Sequence, residues 1–301
     1  MKISVILTLY NSEKSVERTI KSILGQEGIM ESFELELIVI DDCSTDRTRE
    51  LLRQLQVPYY STKSNSGGPN KGRNIGLGLA SGDYYCIVDH DDEWKPNRIL
   101  TALSYIDKSD IISSGHTTYY TAKNKSIENV SRSISGYIFH PENETFLARM
   151  MKSNDGQKTY LGSLLLHNKY KSILFEEHFG VVDYDWILRI FHHQTALEVC
   201  ESLYIRHLDE KNLSRSSTYR KKDFYYSLYA LEDYQNEYPR EYKIAYKRIH
   251  GSRARYYYTI NNMKKARFYF IQAERSWKNI AYLFTSFLGY KWVLNRFRVF
   301  E

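Results

Sequence analysis

In the segment Ile87-Val88-Asp89-His90-Asp91-Asp92-Glu93-Trp94, an apolar run ends in a cluster of carboxylates. Residues 83–88 are mostly apolar and predict a short buried β-strand. Clustered carboxylates repel one another unless a cation relieves them, and their oxygens suit Mg²⁺ or Mn²⁺. A solvated acidic turn is the alternative for so short a pattern. The surrounding sequence is needed to distinguish a metal site from a solvated acidic turn.

The preceding residues alternate between apolar strands and amphipathic helices. Strands are predicted over residues 3–7, 35–40 and 57–61, and a helix over residues 71–80. Two further helices are predicted from their apolar faces, the first with Val16, Ile20, Ile23 and Leu24 inward and the second with Leu51, Leu52 and Leu55 inward. Repeated β-α-β units predict an α/β fold, a parallel sheet with helices on both faces. Ligands bind such sheets at the carboxyl ends of the strands, which favours a ligand site at the acidic cluster.

Other polar residues follow the predicted strands. Thr8 and Tyr10 come after the first strand, and Asp42 comes after the second. A carboxylate at that position can accept hydrogen bonds from a base or a ribose, although a helix cap by Ser44 or Asp46 would also explain the turn. Arg73 lies beyond a glycine-rich break, where a guanidinium suits a diphosphate. A surface position is the alternative for an isolated arginine.

These segments resemble the family 2 glycosyltransferases, whose fold is called GT-A. The resemblance covers residues 2–210, and its motifs fall in the order typical of the family. The matching stretches are Val5-Ile6-Leu7-Thr8-Leu9-Tyr10-Asn11, Asp41-Asp42 with Ser44-Thr45-Asp46, Gly72-Arg73-Asn74 with Ala80-Ser81-Gly82-Asp83, Asp89-His90-Asp91-Asp92, and Asp183-Tyr184-Asp185-Trp186 with Leu188-Arg189. The resemblance therefore implies a mostly parallel sheet flanked by helices and transfer of a sugar from a nucleotide-diphosphate donor.

The resemblance also implies roles for single residues. The residues expected to hold the nucleotide are Thr8, Tyr10, Asp42, Arg73 and Asp89, with Tyr10 near the base, Arg73 near the base or diphosphate and Asp89 at the ribose. Asp91 is expected to bind the metal, and Asp183 to be the catalytic base. Val182 stands where many relatives have a second acidic residue. His207 is a possible further metal ligand, and a purely structural histidine is the alternative.

The chemistry implied is an inverting transfer of a hexosyl or N-acetylhexosaminyl group to an acceptor hydroxyl, assisted by Mn²⁺ or Mg²⁺. Tyr10 and Asp42 at strand ends favour a pyrimidine diphosphate, with UDP first. The expected acceptor is a glycan or a lipid-linked intermediate of surface polysaccharide synthesis. The alternatives are an inactive sugar-nucleotide-binding module and a nucleotidylyltransferase. A nucleotidylyltransferase would require a glycine-rich, basic signature directly after the first strand. Thr8-Leu9-Tyr10-Asn11 at that position does not supply one.

The composition divides the 301 residues into two expected domains, a catalytic one over 1–210 and a helical extension over 211–301. The extension holds 19 of the 42 Lys and Arg residues but only 7 of the 36 Asp and Glu residues, together with 14 of the 27 tyrosines. Cations interleaved with aromatic residues suit an anionic membrane surface. The alternatives are a packing module with a tyrosine core and a nucleic-acid-binding module, and nucleic acid is not the expected partner.

Compartment is predicted from absent signals. Three widely spaced cysteines form no disulfide pattern. A strand pattern follows Met1, and no uninterrupted apolar run reaches the length of a membrane span. We therefore expect a cytoplasmic protein, peripheral on the inner face of the membrane if the extension binds lipid.

Overall fold

The computed structural model describes residues 1–153, 156–179, 182–208 and 217–288, and these form two compact units. The first unit contains residues 1–146 and the described residues between 156 and 208; the second contains residues 147–153 and 217–288. All of the motifs quoted above lie in the first unit.

The first unit is built around one mixed sheet. Its strands are β1 (Lys2–Leu9), β2 (Glu34–Asp41), β3 (Tyr60–Ser61), β4 (Tyr84–Asp89), β5 (Glu93–Trp94), β6 (Ile111–Tyr120), β7 (Lys125–Asn129), β8 (Tyr137–His140), β9 (Leu165–His167) and β10 (Ala196–Leu208). The order is β3-β2-β1-β4-β9-β6-β10-β5, with β7 beside β6 and β8 beside β10. Strands β3, β2, β1 and β4 are parallel, as predicted, and β10 is parallel to β6. The three-residue strand β9 runs antiparallel to both β4 and β6.

Helices lie on both faces of the parallel strands. The α-helices of the chain are α1 (Val16–Leu24), α2 (Thr48–Gln54), α3 (Asn70–Leu79), α4 (Arg98–Leu103), α5 (Glu144–Met150), α6 (Tyr184–Phe191), α7 (Ser217–Glu232), α8 (Pro239–Thr259), α9 (Met263–Gln272) and α10 (Trp277–Thr285). Helix α1 packs Val16 and Ile20 into a core that includes Val5. Helix α3 lies against the other face of β1, because a Cβ on Gly76 would come within 2.3 Å of Ile6 Cγ2. The glycines that weaken α3 as a helix prediction thus allow its close approach to the sheet.

Three local predictions need correction. Leu24 was expected to face inward but is 48% exposed, since it is the last residue of α1. The strand expected over residues 57–61 is only Tyr60–Ser61, at the edge of the sheet. The largely apolar run over residues 161–167 also predicts a strand, but it begins with a 3₁₀ turn, Leu161–Ser163, and only Leu165–His167 is a strand. Apolar runs bounded by turns thus located the segments but not their extents.

The second unit is helical in its described residues, as the sequence predicts from residue 217 onward. The sequence of residues 261–267 resembles the turn between paired helices, and a short turn does join α8 to α9, where Asn262 accepts a capping hydrogen bond from Lys265 N. Its core contains Ala254, Tyr258 and Phe270. None of the helices in the described ranges has the length and apolarity to cross a bilayer.

Candidate active site

The ends of β1, β2 and β4 lie side by side and carry most of the predicted nucleotide-binding residues. Thr8 is aligned with Asp89 on one side and with Ile40 on the other. Thr8 is buried, whereas Tyr10, just beyond β1, exposes 46% of its surface. The exposed ring of Tyr10 is therefore available to a planar ligand at this edge of the sheet. The buried Thr8 lies at the base of the same edge.

Asp42 is committed to a neighbouring loop. Its buried carboxylate accepts hydrogen bonds from Thr62 Oγ1 at 2.7 Å, from Ser66 N at 2.9 Å, from Ser66 Oγ at 2.8 Å and from Asn65 Nδ2 at 3.3 Å. A carboxylate offers about four lone-pair positions. Asp42 therefore holds the segment around residues 62–66 in place, and a direct hydrogen bond to a nucleotide would require one of these contacts to be exchanged.

Arg73 is buried in the site and is not a surface charge. Its Nη2 donates to Asp89 Oδ1 at 2.8 Å and its Nη1 donates to Asn70 Oδ1 at 3.1 Å. The guanidinium also lies 5.1 Å from the centre of the Phe175 ring. Asn70 in turn donates to the carbonyl oxygen of Val182 at 3.3 Å. These contacts connect the end of β4 to the residue that precedes Asp183.

The acidic loop after β4 is held by helix α1 through its backbone. Thr19 Oγ1 donates to the carbonyl oxygens of His90 at 2.9 Å and Asp92 at 2.7 Å. Arg18 Nη2 donates to the carbonyl oxygen of Asp91 at 2.7 Å. With its carbonyls fixed in this way, the loop presents the carboxylates at the edge of the sheet.

The three carboxylates of the loop have different environments. Asp92 is buried and accepts a hydrogen bond from Tyr204 Oη at 2.5 Å. Burial, together with the charges of Asp89 and Asp91, raises the pKa of Asp92 well above its usual range. Burial also raises the pKa of Asp91, while the side chain of Asp89 remains 43% exposed. Asp92 therefore has a structural partner, and Asp89 and Asp91 form the polar surface of the site.

His207 lies beside the acidic loop, at the end of β10. Its Nε2 is 3.1 Å from Glu93 Oε2, and its ring packs edge-on against Tyr119 at 5.4 Å between centroids. Glu93 Oε2 is also 3.7 Å from Arg18 Nε. In this arrangement His207 would bind a metal through Nε2 only after exchanging its contact with Glu93.

The donors present suit a divalent cation that is completed by substrate. Asp91 supplies a carboxylate in a crowd of like charges, and Mg²⁺ commonly uses one or two carboxylates plus phosphate oxygens. Within the described ranges, Asp91 and His207 belong to no group of three acidic, histidine or cysteine ligand atoms lying within 4.8 Å of one another. A cation at Asp91 would therefore need further ligand oxygens, and the phosphates of a bound nucleotide are one source of them.

Asp183 stands at the N-cap position of α6 but does not cap it, since its side chain makes no capping hydrogen bond. The preceding turn is fixed to α3, because Asn70 Nδ2 donates to the carbonyl oxygens of Glu176 at 3.0 Å and Val182 at 3.3 Å. The amino-terminal end of a helix stabilises a carboxylate in its ionised form. Asp183 therefore lies at the amino-terminal end of α6, and its role as a general base stays a prediction.

One residue of the candidate site, Arg206, is not among those predicted from the sequence. Arg206 lies two residues after Tyr204 on β10, and its charge acts on Asp89, Asp91 and Asp92. Strand residues two apart point to the same face, so Tyr204-Ile205-Arg206-His207 already places Arg206 beside Tyr204. That alternation was the available signal; the partnership of Tyr204 with the acidic loop was not visible without the fold.

Comparison with known proteins assigns the chain to a family. The model of glycosyl transferase family 2 matches residues 4–174, which is more than half of the chain. The chain therefore belongs to glycosyl transferase family 2.

Named relatives match in sequence over shorter segments. The poly(ribitol-phosphate) β-N-acetylglucosaminyltransferase TarS of Staphylococcus aureus is 36% identical over 118 residues, 37% of this chain and 20% of that protein. The poly(ribitol-phosphate) β-glucosyltransferase of Bacillus spizizenii is 36% identical over 97 residues, 31% of this chain and 15% of that protein. The matched segments thus span a fifth or less of these relatives.

A solved structure has a similar fold. The crystal structure of residues 1–349 of S. aureus TarS in complex with UDP-GlcNAc superposes with a TM-score of 0.64 at 19% identity, over 96% of this chain and 88% of that one. The likeness confirms the GT-A fold that the sequence motifs predict, including the helices that follow it.

Proposed function

We propose that this protein is an inverting glycosyltransferase that transfers a sugar from a UDP donor to an acceptor hydroxyl with the assistance of Mn²⁺ or Mg²⁺. The observation that supports this most is the series of contacts from Asp89 through Arg73 and Asn70 to Val182. It fixes the acidic strand end, where a nucleotide diphosphate would bind, relative to Asp183. The contacts thereby hold the proposed binding site of the sugar donor and the proposed catalytic base in a fixed relation to each other.

On the donor side, the exposed ring of Tyr10 would contact the base and Asp89 would accept from a ribose hydroxyl. Thr8 and Asp42 shape this part of the site, and Asp42 acts through the loop that it holds. The side chain of Arg73 is only 5% exposed and already pairs with Asp89, so it orients that carboxylate for the nucleotide.

The diphosphate end of the donor requires positive charge. Asp91 would hold the divalent cation, with His207 as a further candidate ligand if Glu93 releases it. Such a cation would act as a Lewis acid that neutralises the departing diphosphate. The role of Asp91 is to keep that charge at the end of β4.

On the acceptor side, Asp183 would take the proton from the attacking hydroxyl. A carboxylate is a weak base, but the hydroxyl proton becomes more acidic as its oxygen forms the new bond. Attack from the side opposite the diphosphate inverts the anomeric carbon. A retaining reaction would need a second nucleophilic group, and the motifs supply no such arrangement.

The relatives guide the choice of substrates. Because two of them are named for transfer of N-acetylglucosamine or glucose to poly(ribitol phosphate), we propose UDP-GlcNAc and UDP-glucose as first donors. A polyol-phosphate or other surface glycan, free or lipid-linked, is the corresponding acceptor class. A cytoplasmic location would give access to the nucleotide sugar.

The second unit provides a surface suited to an anionic membrane. Lys264, Phe268 and Ile271 share one exposed face of α9 at helical spacing. On α10, Trp277 is 88% exposed and Phe284 follows two turns later on the same face. Apolar side chains mixed with cations suit the interface of a bilayer. We include peripheral association with anionic lipid in the proposed function, as a way to meet a lipid-linked acceptor.

Binding and product analysis test the proposal together. Calorimetry with UDP should show binding that depends on Mn²⁺ and is removed by EDTA, and incubation of UDP-sugars with glycan acceptors should release UDP. Equal UDP affinity with and without metal would contradict the metal-assisted mechanism. Metal-dependent binding with no turnover on any donor would favour an inactive sugar-nucleotide-binding module. Release of pyrophosphate from UTP and a sugar phosphate would favour a nucleotidylyltransferase.

A further inference from the structure

Arg206 is a cation in the candidate site to which neither the family motifs nor the described partners give a role. It lies on β10, where its neighbour in β6 is Thr118. Its guanidinium carbon sits 5.1 Å from the centre of the Tyr160 ring, so the ring supports it from one side. The side chain is partly buried.

The charge of Arg206 acts on all three carboxylates of the acidic loop. It lies close enough to attract them, because the hydrogen bond from Tyr204 Oη to Asp92 Oδ2 at 2.5 Å joins β10 to that loop two residues before Arg206. Within the described part of the chain, however, its guanidinium makes no side-chain hydrogen bond and no ion pair within 4.0 Å. By contrast, Arg73 pairs directly with Asp89, and Arg18 donates to the carbonyl oxygen of Asp91. Arg206 thus retains its donors for a ligand at the end of β4.

The support beneath Arg206 consists of two packed rings, Tyr160 and His116. His116 packs edge-on against the Tyr160 ring at 4.2 Å between centroids, and its side chain is buried. Burial, aided by Arg206 and Lys158, lowers the pKa of His116 to about 4. Tyr160 itself is 40% exposed, so the platform opens toward solvent. A guanidinium fixed by stacking loses little freedom when it binds an anion.

We propose that Arg206 binds the diphosphate of the donor, with Tyr160 as its supporting platform; this rests on the proposed function. In the transfer, the acceptor oxygen forms a bond to the anomeric carbon and its proton passes to Asp183. The bond from the anomeric carbon to the bridging oxygen breaks, and its electron pair remains on the β-phosphate of UDP. Arg206 stabilises that added negative charge, and its planar donors match two phosphate oxygens. It therefore complements the charge held by Asp91.

A comparison of UDP with UMP tests this role, because only UDP carries the second phosphate. Arg206→Gln should weaken Mn²⁺-dependent UDP binding roughly tenfold, the effect of one charge-assisted contact, and leave UMP affinity within about twofold. Turnover should fall by roughly 10²-fold or more, as for other lost donors to a developing anion. Mn²⁺ binding without nucleotide should be unchanged or tighter, since a cation beside the carboxylates has been removed. Arg206→Lys, which keeps the charge but not the planar fork, should fall between.

Matched variants separate this role from a structural one. Tyr160→Phe should retain the preference for UDP over UMP, Tyr160→Leu should lose part of it, and Arg132→Gln, at an exposed arginine of the same unit, should change nothing. Equal losses of UDP and UMP affinity in Arg206→Gln and Arg206→Lys, with a lowered melting temperature, would overturn the proposal, as would unchanged affinities for both. A wild-type protein that binds UDP no better than UMP would overturn the proposed function, and this inference with it.

Discussion

Arg73 donates to Asp89 across 2.8 Å, and this pair joins the helix after the glycine-rich break to the strand that carries the acidic residues. A charged group that loses its partner inside a protein keeps its desolvation cost and loses the compensating contact. Arg73→Gln should therefore lower the free energy of unfolding by ~1–3 kcal/mol, a range reduced because Asp89 is 43% exposed. It should also weaken UDP binding, because Asp89 loses its orientation. Urea unfolding and calorimetry measure the two effects.

The matched control is an exposed pair at the start of α2, between the N-cap residue Arg47 and Glu50 at 3.3 Å. Arg47→Gln should change stability by less than ~0.5 kcal/mol, as is usual for exposed helical pairs, and leave UDP binding intact. Similar effects of the two substitutions would show that the pair between Arg73 and Asp89 stabilises the protein no more than an exposed pair does.

Two glycines of α3 should respond oppositely to alanine. A Cβ on Gly76 would come within 2.3 Å of Ile6 Cγ2, whereas a Cβ on Gly78 would meet nothing within 4 Å. Gly78→Ala should raise the unfolding free energy by about 0.5–1 kcal/mol, because alanine favours the helix and restricts the unfolded chain. Gly76→Ala should lower it by ~1–3 kcal/mol through overpacking. Denaturant unfolding of the two variants, at positions two residues apart in the same helix, tests whether α3 lies as close to β1 as described.

His140 predicts a pH dependence of stability. Burial alone would lower its pKa, but hydrogen bonding and charge from Glu198 and Glu144 outweigh burial and raise it above the usual value. A raised pKa means that the folded state favours the charged form. The stabilisation is therefore fully present below the unfolded pKa of about 6.5 and is lost as pH rises through the folded pKa. His140→Gln should lose more stability at pH 6 than at pH 8.5.

The control for this effect is His178→Gln, at a side chain that is 63% exposed, which should cost little at either pH. Melting temperatures of both variants and the wild type at the two pH values provide the comparison. A loss in His140→Gln that is equal at pH 6 and pH 8.5 would remove the charged form from the explanation.

The exposed apolar face of α9 and α10 predicts lipid binding. Trp277→Glu with Phe284→Glu should reduce flotation with phosphatidylglycerol vesicles without changing turnover on a soluble acceptor, because both side chains are exposed in the described chain. Ile134→Glu is the control, since Ile134 is a fully exposed apolar residue of the first unit. If the wild type floats equally with phosphatidylcholine and phosphatidylglycerol, the electrostatic part of the proposal is wrong.

Sequence patterns located the strands that end at the site because these strands are short apolar runs bounded by polar residues. In β1, Ile3, Val5, Ile6 and Leu7 are all fully buried, which is the pattern of a central parallel strand. Such patterns do not predict that β9 pairs antiparallel with β4 and β6, because three residues are too few to show a periodicity. The glycines of α3 weakened a correct helix prediction, since their benefit comes from contact with β1.

For the candidate site too, the sequence predicts positions along the chain but not the contacts between them. Strand-end positions of Thr8, Asp42 and Asp89 follow from the β-α-β pattern, but their partners do not. That Asp42 holds its own loop and that Arg73 is buried against Asp89 are long-range contacts, between residues 16 or more positions apart. Arg206 required the pairing of β10 with the rest of the sheet, which no local pattern shows.

Asp91 and Asp183 should fail in different ways when each is changed to asparagine. Asp91→Asn removes a charge from the acidic strand end, so Mn²⁺-dependent UDP binding should be lost first, and turnover with it. Asp183→Asn should bind UDP and Mn²⁺ almost normally yet transfer little sugar. Loss of a general base typically costs about 10²–10⁴-fold in rate, or ~3–5 kcal/mol of barrier.

Helix α6 provides a control for the possibility that Asp183 serves only the helix. Asp185 lies in its first turn and pairs with Arg189 at 2.6 Å, so Asp185→Asn should lower the melting temperature while turnover per folded molecule persists. Asp183 makes no capping hydrogen bond, so Asp183→Asn should instead lower turnover with little change in melting temperature. Measuring melting temperature, UDP affinity and turnover for all three variants separates metal binding, proton transfer and helix stability. A folded Asp183→Asn protein with near wild-type turnover would remove Asp183 from the mechanism, whatever the other two variants show.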